Sequence, residues 1–155
     1  MTRQQKTTGP SRRGFLQGSV AAGAALAGLR AAAASSKVLG ANDRIHFGVI
    51  GVGGMGTGHV HDLVNRAEAD NVRCIAVCDV YQRRLLAAQA LCQGQAYTDY
   101  RKLLDNPDID AVIIATPDHW HAKQAIDAME AGKQVYLQKP MTLTIEQAIA
   151  VRNTA

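Results

Sequence analysis

At 155 residues and 47% hydrophobic, the chain is sized for one domain with a packed core, and three cysteines without a CxxC pair exclude a disulfide framework or a zinc ribbon. A formal charge of +4 and a pI near 9.2 raise the question of nucleic-acid binding. The location of the charges answers it. Five of the 17 basic residues (Arg3, Lys6, Arg12, Arg13, Arg30) lie in residues 1–34, which hold no acidic residue, and the other 12 face 13 acidic ones, leaving a net −1 and no surplus to neutralise phosphates.

Residues 1–34 read as a leader. A polar, basic stretch is followed by Ser11-Arg12-Arg13-Gly14-Phe15-Leu16-Gln17 and then by an Ala/Gly-rich run to Ala34. This is the order of an n-region, an h-region and a small-residue cleavage zone, with cleavage expected near Ala33 or Ala34. The arginine pair before Phe-Leu resembles the twin-arginine signal, with Gln17 where that motif often has Lys. The resemblance implies export of an already folded protein, to the periplasm or beyond. A folded helix is the poorer reading, because Gly14, Gly18, Gly23 and Gly28 each cost a helix about 1 kcal/mol relative to Ala. A membrane span is not expected from a run this short and glycine-rich. Residues 35–43 read as a linker.

From residue 44 to 155 strand-like and helix-like segments alternate. Strands are predicted at Ile45–Ile50, Val72–Cys78, Gln95–Tyr97, Ala111–Ala115 and Gln134–Leu137. Helices are predicted at Gly54–Glu68, Tyr81–Leu91 (with Leu85, Leu86 and Leu91 on one side) and Asp99–Leu104. Two more are predicted from Asp118 to about Ala131, with Asp118 as cap, and from Thr144, with Thr144 as cap and Glu146 in the first turn. Cys74 and Cys78 fall in an apolar run and read as buried strand residues. Continuous apolar strands that alternate with helices imply an α/β fold: a doubly wound parallel sheet covered on both faces. Ligands of such sheets bind beyond the carboxyl ends of the strands, here Gly51–Gly56, Asp79, Thr116–His121 and Gln138–Pro140.

Gly51-Val52-Gly53-Gly54-Met55-Gly56 fits GxGxxG, follows a strand and opens a helix, and Asp79 closes the next strand 28 residues after Gly51. That context predicts a dinucleotide site. Gly51 allows the tight turn, Gly53 lets the backbone approach the pyrophosphate and Gly56 lets helix pack closely on strand. The pyrophosphate then rests on free N–H groups at the positive end of the helix. Asp79 would accept hydrogen bonds from the adenosine ribose and repel a 2′-phosphate, which favours NAD. Arg83 and Arg84, otherwise a solvated helix face, keep NADP as the second choice.

The later strand ends carry a family resemblance. Thr116-Pro117-Asp118-His119-Trp120-His121, Ala131-Gly132-Lys133 and Gln138-Lys139-Pro140, together with Thr98-Asp99-Tyr100 and Leu103-Leu104, resemble the glucose–fructose oxidoreductase / inositol dehydrogenase (Gfo/Idh/MocA) family over residues 44–155. The resemblance implies a Rossmann domain that binds NAD(P), a sugar or polyol substrate and a homo-oligomer. It implies that Lys139 acts catalytically, hydrogen-bonding the hydroxyl under oxidation and helping to move its proton. Pro140 would follow a strained or cis peptide. Gln138 departs from the family's usual Glu and would orient Lys139 without a charge. The resemblance puts Thr116, Pro117, His119, His121, Gln138 and Lys139 beside the cofactor, with Gly51, Gly53, Gly54, Met55, Gly56 and Asp79 at its other end.

Alternatives stand for the histidines. His119 and His121 line the cleft, support the helix start or, if the segment is extended, point the same way toward a metal; no ligand at a helpful spacing favours the last. Trp120 stacks on a sugar or packs. His59 and His61 are expected to be structural or exposed. Family members continue into a second, mostly antiparallel domain and a sixth strand, so the chain is expected to be the cofactor-binding part of a longer protein. Three functions follow: an exported sugar or polyol dehydrogenase, an NAD-dependent glycosidase that works through transient C3 oxidation, or an inert NAD-binding module.

Overall fold

A computed structural model describes residues 43–155; the expected leader and nearly all of the linker lie outside the described residues. Among the described residues five strands, β1 (Ile45–Ile50), β2 (Val72–Cys78), β3 (Gln95–Tyr97), β4 (Ala111–Ile114) and β5 (Gln134–Leu137), alternate with five helices. These are α1 (Gly54–Asn65), α2 (Gln82–Cys92), α3 (Tyr100–Leu104), α4 (Asp118–Glu130) and α5 (Ile145–Thr154). All four strand pairings are parallel, in the order β3-β2-β1-β4-β5. The chain therefore winds outward to β3, crosses back over the sheet and resumes beside β1. The β1/β4 boundary is the switch point at which sheets of this type open a crevice for ligands.

Each face of the sheet buries its own layer. Val49, Val77 and Ile113 meet Val60 and Leu63 of α1 and Leu85 and Ala88 of α2 on one side. Ile50, Ala76, Cys78, Val112 and Ile114 meet Leu103 and Leu104 of α3 and Ala125 and Ala128 of α4 on the other. The central strands are apolar at successive positions because both faces are covered.

The five strands fall where the apolar runs predict them, with β4 one residue shorter. Three local expectations are corrected. α1 ends at Asn65 rather than Glu68, because the chain reverses through a turn from Arg66, held by the Arg66–Asp70 ion pair at 2.7 Å and the left-handed Asn71 (φ 51°). On α2, Leu85 is buried while Leu86 and Leu91 are 51% and 38% exposed. The helical period aligns Leu85 with Ala88 and Cys92 and turns Leu86 aside. Pro117, not Asp118, occupies the N-cap of α4, and Asp118 sits inside the first turn, where its charge still favours the helix dipole. Thr144 caps α5 as expected, its hydroxyl accepting from Gln147 N at 3.3 Å.

Candidate functional site

The carboxyl ends of β1, β2, β4 and β5 are stitched to each other: Gly51 N donates to Cys78 O at 2.8 Å, Ala115 N to Ile50 O at 2.8 Å and Gln138 N to Ile114 O at 3.0 Å. The glycine loop leaves from the middle of this edge. Gly51 has φ +85°, a conformation open to glycine, and a Cβ there would lie 2.8 Å from Thr116 N. At Gly56 the reason is proximity, since a Cβ would come within 1.8 Å of Gly51 O. These two residues let α1 start hard against the strand end. Thr57 Oγ1 donates to Val52 O at 2.9 Å and closes the loop from the helix side.

Gly53, Gly54 and Met55 form the outer rim. Gly53 is the N-cap of α1 with no side-chain cap. A Cβ on Gly54 would meet nothing within 4 Å, and one on Gly53 would meet only Arg84, at 3.7 Å. Met55 is 56% exposed. The first-turn N–H groups of a helix lack intrahelical partners. An uncapped helix start behind a side-chain-free rim fits an anionic, phosphate-sized group.

Asp79 stands beside this rim and organises it. Its Oδ2 accepts from Val52 N at 2.9 Å and its Oδ1 from Tyr81 N at 2.8 Å. A carboxylate has about four acceptor sites, so both oxygens retain capacity for ligand hydroxyls. The Arg84 guanidinium lies 5.6 Å from the Tyr81 ring centroid, next to the loop.

The other half of the crevice is built by Thr116, His121, Gln138 and the Lys139–Pro140 turn. The Lys139–Pro140 peptide is cis. His121 is 1% exposed, its Nδ1 2.8 Å from Pro140 O and its Nε2 2.7 Å from Thr116 O. It is a bridge between the ends of β4 and β5 and does not present its ring to the open edge. Thr116 Oγ1 pairs with Gln124 Oε1 at 2.7 Å. Because Asp118–Glu130 is helical, His119 and His121 are two residues apart on a helix and do not face each other. His119 is exposed beside Trp120, with ring centroids 6.1 Å apart. Pro117 is exposed at the start of α4, and Lys139 is exposed at the open edge.

Gln138 is buried, and both ends of its amide are engaged. Oε1 accepts from Lys139 N at 2.8 Å, and Nε2 lies 3.0 Å from His59 Nε2. With Oε1 accepting, the amide Nε2 is the donor side turned toward His59. His59 also meets Tyr136 edge-on at 5.4 Å. The sequence reading placed no functional weight on His59. The available signal was its position three residues after Gly56, on the helix face turned toward the sheet.

Comparison with known proteins agrees with this geometry. The family model of the Gfo/Idh/MocA oxidoreductase family, NAD-binding Rossmann fold, matches residues 45–155. A glycosyl hydrolase family 109 protein from Shewanella pealeana is 35% identical over 97% of this chain and 35% of its own length. Among solved structures, the WlbA dehydrogenase from Chromobacterium violaceum, in complex with NADH and UDP-GlcNAcA, aligns with TM-score 0.70 and 30% identity over 74% of this chain and 33% of that one. A scyllo-inositol dehydrogenase from Lactobacillus casei, with NAD(H) and scyllo-inositol bound, aligns with TM-score 0.68 and 27% identity over 72% of this chain and 33% of that one. The chain thus spans about a third of the length of these relatives. With its glycine rim, Asp79 clamp and Lys139–Pro140 turn on one parallel sheet edge, the chain belongs to the Gfo/Idh/MocA oxidoreductase family, as that family's NAD-binding Rossmann domain.

Proposed function

We propose that the chain is the cofactor-binding part of an NAD-dependent oxidoreductase that moves a hydride between a sugar or polyol carbinol and the nicotinamide ring. The observation that carries the reading is the pairing of two chemistries on one edge. An anion-fitting rim with an adjacent carboxylate lies at the β1/β2 end, and an exposed lysine lies on the turn that follows β5.

In this reading the first-turn N–H groups beside Gly53, Gly54 and Met55 hold the pyrophosphate. Asp79 accepts from the adenosine ribose hydroxyls while its clamp on Val52 N and Tyr81 N keeps the rim in place. Its charge disfavours a 2′-phosphate and so selects NAD over NADP. Thr116, Pro117 and His119 border the nicotinamide end; His121 and Gln138 set the height of the Lys139 turn from below. Lys139 Nζ hydrogen-bonds the carbinol oxygen and relays its proton. The cofactor, when bound, supplies the acceptor for the hydride.

Support for a sugar or polyol comes from the relatives named as acting on or binding such molecules. A second reading, a glycosidase that oxidises C3 transiently and returns the hydride to the sugar, is compatible with the family 109 name of the 35% identical relative. Both readings begin with the same hydride abstraction, and net NADH separates them. The natural protein is incubated with NAD and a panel of sugars, polyols and aryl glycosides. Stoichiometric NADH supports the dehydrogenase, aglycone release without net NADH supports the glycosidase, and neither, at saturating NAD, refutes both.

We further propose export by the twin-arginine route and a homo-oligomeric enzyme. Replacing Arg12 and Arg13 with Lys, followed by cell fractionation, tests the first: the precursor should be retained in the cytoplasm. Size-exclusion chromatography of the natural protein tests the second.

A further inference from the structure

The thiols of the three cysteines play no part in the cofactor edge, and an irregularity in β2 sorts them. In a regular strand, residues 74, 76 and 78 would share one face. Here Phe47 pairs with Cys74 but the next residue, Gly48, pairs with Ala76, leaving Ile75 as an extra residue in β2. Such a bulge shifts the alternation by one. Ala76 and Cys78 accordingly pack in the α3/α4 layer, whereas Cys74 joins Val77 in the α1/α2 layer. Cys92, the last residue of α2, packs against that same cluster.

Cys74 and Cys92 therefore meet in one apolar layer and influence each other electrostatically, while Cys74 Sγ donates to Ala76 O at 3.7 Å and Cys92 Sγ to Gln89 O at 3.8 Å. The contact with Cys74 draws the Cys92 thiol down to about 6, against the effect of its burial and helped by the Gly94 N–H. The same contact and near-complete burial push the Cys74 thiol up. Cys78, on the other face, is pushed up to about 12, chiefly by burial. The pair thus consists of one half-buried sulfur with thiolate character, suited to initiate exchange, and one buried sulfur in the same apolar layer.

We propose that Cys74 and Cys92 form a disulfide that staples the end of α2 to β2, while Cys78 stays a buried thiol. The oxidant is a disulfide carrier, small-molecule or protein. The Cys92 thiolate attacks one carrier sulfur, forming a mixed disulfide and expelling a thiolate. The Cys74 sulfur then attacks the Cys92 sulfur and expels the second. The chain loses two electrons, the carrier gains them, and the two thiol protons end on the released carrier thiols. The closed segment contains the Asp79 turn and all of α2, whose first turn carries Arg84 beside the glycine rim. The staple would stiffen the flank that supports the rim, and it stands whether or not the substrate reading holds.

The test uses the whole chain, reduced and folded. It is exposed to excess oxidised glutathione, denatured, alkylated with N-ethylmaleimide and weighed intact. The expected product carries one alkyl group for its three cysteines, is otherwise about 2 Da lighter through loss of two thiol hydrogens, and reverts with dithiothreitol. Trypsin leaves Cys74 and Cys78 on one peptide, between Arg73 and Arg83. Backbone fragmentation of that cross-linked peptide in the unmutated protein must therefore put the link on Cys74. Cys78→Ser should keep the link, Cys74→Ser should abolish it, and the oxidised chain should melt several degrees higher than the reduced one. Three alkyl groups, stable glutathione adducts in place of the link, or a link through Cys78 would overturn the proposal.

Discussion

Replacing Gly53 with Ala separates cofactor binding from folding. Gly53 has φ −68°, accessible to alanine, and the new Cβ would touch only the Arg84 guanidinium at 3.7 Å, an ordinary contact. The apo domain should therefore keep its stability or gain up to about 1 kcal/mol from a less flexible unfolded chain. A phosphate oxygen accepting from the rim sits about 2.9 Å from a backbone nitrogen, and a methyl group on the rim displaces it. NADH affinity should fall at least about tenfold, or ~1.4 kcal/mol. Gly56→Ala should behave in the opposite way. Its Cβ would sit 1.8 Å from Gly51 O, so helix and loop must part by at least 1.2 Å to reach the 3.0 Å floor of real contacts. Overpacking of that kind costs about 1–3 kcal/mol. Gly58→Ala, on the same helix with nothing within 4 Å, is the control and should stabilise by up to about 1 kcal/mol without changing affinity. Scanning fluorimetry and NADH titration of the three variants give both axes. Unchanged NADH affinity in Gly53→Ala would refute the assignment of the rim to the pyrophosphate.

Three further outcomes are expected. Asp79→Ala should lower NADH affinity and loosen the rim, because two backbone N–H groups lose their acceptor at about 1 kcal/mol each; equilibrium unfolding and titration measure the two effects. His121→Ala should destabilise the domain by about 2–4 kcal/mol, since it empties a buried site and removes the ring that lies between Thr116 O and Pro140 O, and urea unfolding reads that loss. Asp99, the N-cap of α3, is held down to about 2 by Arg101. A lowered carboxylate stabilises above its unfolded value and loses that contribution as pH falls through its folded value. Asp99→Ala should therefore melt below the parent at pH 7 and converge with it near pH 2, as thermal melts across pH would show.

Much of the fold was legible because the central strands end in apolar runs (Val49–Ile50, Ile75–Cys78 and Ala111–Ile114) that stop at or just before glycine, Asp or Thr-Pro. Gly51 and Gly56 were legible for the same kind of reason: a strand followed by GxGxxG leaves few geometries. What escaped depended on contacts between segments far apart in sequence. The Ile75 bulge exists only in the register of β2 against β1, so the face that Cys74 takes is invisible in β2 alone. The Gln138–His59 contact joins residues 79 apart, and nothing local to either shows it. Which of the roles open to His121 it takes depends on Pro140 O, which lies 19 residues on, beyond the carboxyl end of β5. Leu86 was misplaced for a simpler reason, since a run of leucines suggests a face and only the helical phase decides it.

The most direct test of the dinucleotide reading uses Trp120, the only tryptophan of the chain, exposed in the first turn of α4 beside the Thr116–Pro117 end of the crevice. Its emission overlaps the absorption of a reduced nicotinamide, so bound NADH quenches it by energy transfer. Titration of the chain with NADH should give saturable, one-site quenching, displaced by NAD, with NADPH binding more weakly because of Asp79. Emission that stays flat into the millimolar range, or that falls only in the non-saturating way expected of light absorption by free NADH, would contradict a nicotinamide dinucleotide in this crevice.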